Sequence, residues 1–85
     1  MANSRKEPEV KNAKQFADRL NESLDESEAP AQIRERTVIL SKLLDIPRQQ
    51  AWSLLEGHLI PSLDLLSRIA EEFEVDAHWL AGDDI

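Results

Sequence analysis

The 85-residue chain has no cysteine, only two histidines and no long apolar run, and each shortage removes a class of function. Without cysteine, neither a disulfide framework nor a thiolate-bound zinc can stabilise a small fold. His58 and His78 stand twenty residues apart, a spacing that fits no metal-ligand motif. The apolar runs fall far short of the ~20 residues needed to span a bilayer. The opening segment MANSRKEPEVKN carries no apolar block of the kind found in signal peptides. There is no nucleophile–base pair, phosphate-cradling glycine loop or metal cluster, and a chain this short leaves little room for a pocket. These absences predict a soluble, cytoplasmic, non-enzymatic protein with no cofactor and no membrane contact. The length suits one small domain whose marginal core needs every amphipathic helix, or a second subunit.

The net charge is −7, which as a bulk figure opposes binding to nucleic acid. Its distribution is more informative. Residues 1–33 carry a net −2, residues 34–48 a net +2 and residues 56–85 a net −7. The one cationic segment holds Arg34, Arg36, Lys42 and Arg48. A DNA face must be positive locally, because affinity comes largely from releasing counterions condensed on phosphates. The middle of the chain meets that requirement.

Periodicity predicts an all-α fold of five helices. Residues 1–11 are polar and aperiodic and are expected to form a disordered arm, leaving 12–85 as the domain. From about Asn12, Phe16, Leu20 and Leu24 repeat at i, i+4, the spacing of one buried stripe. An acidic connection, Asp25 to Pro30, follows. A second helix is expected from Pro30 or Ala31 to Leu44, and Asp45-Ile46-Pro47 separates it from a short third helix over 48–56. Gly57 is placed to take a left-handed closing position. Ser62 should cap a fourth helix with Leu63, Leu66, Ile69, Ala70 and Phe73 on its buried face. Asp76 should cap a short fifth helix that Gly82 closes.

The third helix carries the functional signal. At about 100° per residue, Ala51, Leu54 and Leu55 share the inner side. Gln49, Ser53 and Glu56 lie opposite, with Arg48 and Trp52 along one flank and Gln50 on the other. Arg pairs with guanine and Gln with adenine in bidentate fashion. Arg48, Gln49, Gln50, Trp52 and Ser53 are therefore candidate base-reading residues. The plainer alternative is that these polar side chains solvate a surface.

The spacing of several elements resembles the lambda-repressor-like (Cro-like, xenobiotic-response-element type) helix-turn-helix family. The resemblance covers residues 16–82 and is strongest over LLDIPRQQAWSLLEGHLIPSLDLLSRIAEEFEVDAHWLAG, residues 43–82. It rests on Leu44-Asp45-Ile46, Pro47, Gly57, Pro61-Ser62-Leu63, Leu66, Ile69-Ala70, Phe73, Val75 and Trp79-Leu80-Gly82 in order. The resemblance implies a five-helix domain with a helix-turn-helix over 38–56. The helix 48–56 would insert into the major groove of a palindromic operator bound by a homodimer. It also implies phosphate contacts at the start of the first motif helix, where Arg36 and Thr37 fall at the usual Ser/Thr-Gln pair. Lys42 joins them as a phosphate ligand, although it and Arg34 also read as ordinary helix-surface charges.

The chain departs from the family pattern at several places. Asp45 replaces a left-handed glycine, a conformation Asp tolerates better than most residues. Ser41 replaces a small apolar residue, and its hydroxyl is expected to bond back to a carbonyl one turn earlier. Trp52 reads equally as peripheral core, DNA contact or protein contact, Trp being a typical interface anchor. Val38 and Ile39 stand where polar residues are usual, and Glu56 where a neutral or basic one is. Two functions follow. The first is a sequence-specific bacterial or phage transcription regulator, a repressor in the simplest case. The second is a protein-interaction module, such as an antirepressor or accessory subunit, whose partner meets Trp52 or the C-terminal segment.

Overall fold

The computed structural model of the chain describes residues 7–83, which form five helices and no strand. These are α1 (Ala13–Glu26), α2 (Ile33–Leu44), α3 (Arg48–Glu56), α4 (Leu63–Phe73) and α5 (Ala77–Ala81). Three of the starts are capped by side chains. Asn12 Oδ1 accepts from the amides of Lys14 and Gln15 at 2.9 and 3.1 Å. Ser62 Oγ accepts from Leu65 N–H at 3.1 Å, and Asp76 Oδ1 from His78 N–H at 2.8 Å. Each bond satisfies an amide that has no acceptor within its helix. The beginning of α2 falls later than Pro30 or Ala31, because the chain must first reverse out of α1, which itself runs on through Asp25 and Glu26.

All five helices close through a left-handed residue: Glu28, Asp45, Gly57, Glu74 and Gly82, with φ of 61°, 57°, 80°, 55° and 91°. Just beyond each, an amide reaches back five residues. These bonds are Ala29 to Leu24, Ile46 to Ser41, His58 to Ser53, Val75 to Ala70 and Asp83 to His78, at 2.9–3.0 Å. This closure satisfies carbonyls that would otherwise be orphaned. Three of the five positions hold side chains that disfavour the conformation by about 1–2 kcal/mol. Glu74→Gly should therefore stabilise the domain by about 1 kcal/mol, net of the entropy that glycine loses on folding. The reverse holds at Gly57, where an added Cβ would also lie 3.1 Å from the backbone Cα of Lys14. Gly57→Ala should destabilise by about 2 kcal/mol. Urea unfolding of both variants checks the opposite signs.

The core is one cluster. Phe16, Leu20 and Leu24 of α1 meet Leu40 and Leu44 of α2, Leu54 of α3, Leu66 and Ile69 of α4 and Leu80 of α5, all essentially inaccessible to solvent. The i, i+4 stripe of α1 thus faces inward along its length. Leu63 departs from expectation: it is 40% exposed, while Leu65 is buried in its place. As the first residue of α4, Leu63 projects back past the helix end. Phe73 and Trp79 are partly buried against the cluster. Of the arm expected over 1–11, residues 1–6 lie outside the described residues, and Val10 is buried in the core cluster. The groove beside Val10 is also lined by Pro61 and Leu66, an apolar contact that ties this residue down despite its polar neighbours.

Candidate functional site

The candidate site is built on α2 and α3, which three residues join. Their turn is locked from both sides. The amide of Ile46 donates to Ser41 O at 3.0 Å, and Ser41 Oγ donates to Ile46 O. The Ser41 hydroxyl therefore bonds forward across the turn, not back into its own helix as expected. Arg68 of α4 donates to Leu44 O at the C-terminal end of α2, where a cation is favoured by the helix dipole. From α1, Asn21 Nδ2 donates to Leu55 O at 3.1 Å, fixing the far end of α3. Asn21 was not singled out by sequence. Its only signal is its place one residue beyond Leu20 on the α1 stripe.

With both ends held, α3 turns Ala51, Leu54 and Leu55 into the core. Arg48, Gln49, Trp52 and Glu56 are exposed, and Gln50 and Ser53 are half-buried. The inward set agrees with the sequence expectation, and the remaining residues form one continuous outer arc. Arg34, Val38 and Lys42 follow one another at i, i+4 on α2, so they share a face of that helix. Arg34 and Lys42 are exposed. Arg34 and Val38 line a groove of about 300 Å³ together with Ile33, Thr37, Arg48 and Trp52. Two guanidinium-bearing side chains, one from each helix, thus flank an apolar floor.

Trp52 is 41% exposed. Its ring lies 5.3 Å from that of His58, tilted by 34°. The closing turn at Gly57 brings His58 back over the end of α3, so helical periodicity alone gives no sign of this contact.

Arg36 does not reach this face, and Thr37 lines the groove while almost wholly buried. Arg36 is 5% exposed and its guanidinium is committed inside the fold. Nε donates to Pro30 O at 2.6 Å, Nη1 to Asn21 O and Oδ1 at 3.2 and 3.0 Å, and Nη2 to the Asp25 carboxylate. The phosphate role expected of Arg36 gives way to a structural one: from α2 it ties together Asn21 and Asp25 of α1 and Pro30 of the connection between the two helices. Thr37 is 8% exposed, and its hydroxyl donates to Ile33 O at 2.8 Å. Its hydroxyl proton is thereby used within α2. Lys42 is exposed, and Arg34 takes the outward position that Arg36 was expected to hold.

No family model, curated protein or solved structure matches the chain. Among the described residues no cluster of His, Cys, Asp or Glu could hold a metal ion, and no helix is long and apolar enough to cross a membrane.

Proposed function

We propose that the protein is a sequence-specific, DNA-binding regulator of transcription, a repressor in its simplest form, of the lambda-repressor-like helix-turn-helix type. In this reading α2, residues 45–47 and α3 are the helix-turn-helix, and α3 enters the major groove. The observation that carries the reading is the division of α3. Its apolar residues are all buried except Trp52, and its outer arc presents Arg48, Gln49 and Ser53, the side-chain types that read base edges. Arg34 and Lys42 on the adjoining helix supply cations suited to the flanking phosphates.

A helix of nine residues reads few base pairs. A homodimer with recognition helices ~34 Å apart would meet successive major-groove turns and double the site. Selection from a randomised duplex pool tests this. The expected product is a palindrome with half-sites one helical turn apart, and a pool that stays random after repeated rounds would contradict it.

A second reading is favoured by the apolar floor of the groove beside Trp52. Ile33 is 36% exposed and Trp52 41%, and Glu56 would repel phosphate. A protein partner would anchor there. The emission of Trp52 separates the two, with Trp52→Phe as the control that isolates the signal from Trp79. Duplex DNA should quench or shift it in the regulator. Duplex that binds without touching it would place α3 away from the DNA.

A further inference from the structure

A second groove, of about 510 Å³, lies between the C-terminal half of α1 and the α4–α5 junction. Phe73, Val75 and Trp79, each partly buried against the core, form its apolar floor beside Ser23 and Ser27. Its rim carries the exposed carboxylates of Glu22, Glu26 and Glu74. We propose that this groove docks a basic amphipathic segment of a partner protein, with bulky apolar residues on the floor and Lys or Arg against the rim.

Two observations choose this occupant. The first is charge. A second copy pairing symmetrically through this groove would bring two such acidic rims together, whereas a cationic segment neutralises one. The second is that the chain itself shows the chemistry. The Arg19 guanidinium lies 5.2 Å from the centre of the Trp79 ring and donates to the Trp79 carbonyl. A guanidinium is thus already held on this aromatic, as the ring quadrupole favours. Glu22 and Glu26 stand on a different face of α1 from Asn21, which holds α3. A partner here and DNA on α3 could therefore be bound together.

The test uses the full chain, isotopically labelled for NMR. The probe is a synthetic amphipathic peptide of about 14 residues with Leu on one helical face and Lys and Arg on the other. A counterpart with Glu at the basic positions serves as control. The basic peptide should shift the amides around Glu22, Glu26, Phe73 and Trp79, with a Kd on the order of 10–100 µM, and the acidic one should not. Glu22→Gln with Glu26→Gln should weaken binding about fivefold or more. Glu71→Gln with Glu72→Gln, on exposed acids of α4 outside the groove, should change it less than about twofold.

Equal losses from the two pairs would mean bulk charge attraction and would overturn the proposal. So would shifts centred away from the groove. Two other occupants are read from samples without peptide. Groove shifts that grow with protein concentration would assign the surface to a second copy. Groove shifts on removal of residues 1–6, which contain Arg5 and Lys6, would assign it to the chain's own N-terminus.

Discussion

Arg36→Ala should lower the stability of the domain by about 3 kcal/mol, because it strips partners from several backbone and side-chain acceptors in one step. Three of those acceptors belong to Asn21 and Pro30, and the fourth is the carboxylate of Asp25. Asp25 is largely exposed and regains water, which holds the figure below the upper range for a fully buried pair. In a domain of this size the loss lowers the unfolding midpoint by roughly 15 °C. The contrast is Arg34→Ala, an exposed cation two residues earlier. It should leave the midpoint almost unchanged while weakening binding to all duplexes alike and reducing the salt slope by about one ion. Thermal melts of the two variants, followed by binding measured well below both midpoints, separate the strap from the phosphate ligand. An Arg36→Ala protein with an unaltered midpoint and a flattened salt slope would restore the role its sequence position suggests.

The second large effect concerns recognition. Arg48→Ala with Gln49→Ala should lower affinity for a selected operator by roughly 2–4 kcal/mol, since each bidentate base contact is worth about 1–3 kcal/mol. That corresponds to about thirty- to a thousandfold in Kd. Affinity for random duplex should fall much less, by the share of the single charge lost. Both residues are exposed, so the fold should survive with its midpoint intact. Competition of operator against random duplex measures the ratio. A double variant that still prefers the operator as strongly as the parent would remove α3 from the reading of bases.

Much of this architecture can be read from residue spacing. Phe16, Leu20 and Leu24 declare α1; Ser62 and Asp76 announce the starts of α4 and α5; Gly57 and Gly82 announce two of the closures. The other closures are opaque because Glu28 and Glu74 have no local preference for a left-handed backbone. Backbone bonds hold them there: the amides that reach back five residues, and the amides of Glu28 and Glu74 themselves, which donate to Asp25 O and Glu71 O. Asp45 sits between these cases, since Asp adopts the conformation at moderate cost.

The case of Arg36 is instructive. It stands four residues before Leu40 and eight before Leu44, both inaccessible to solvent, so its helical phase places it on the buried stripe. The phosphate role expected of Arg36 rests instead on the family resemblance, with its presumption that the side chain at this position is free to meet DNA. That presumption fails when a connection wraps over the side chain and supplies carbonyls. Leu63 errs the other way, having the phase of a core residue but standing at the helix end. On α3 the inner and outer sets agree with the helical phase because its neighbours cover one side only. The tilt of His58 over Trp52 depends on the path after Gly57, which no periodicity encodes.

The central claim is that α3 and the adjoining cations form a face for duplex DNA. A titration of random-sequence duplex into the protein over a series of salt concentrations tests it most directly, because phosphate affinity precedes any choice of sequence. The account predicts binding at low salt that weakens linearly on a log–log plot. The slope should correspond to about three phosphates per subunit, matching the exposed Arg34, Lys42 and Arg48. Absence of detectable binding at the lowest salt would contradict it, and would turn the Trp52 groove toward a protein partner.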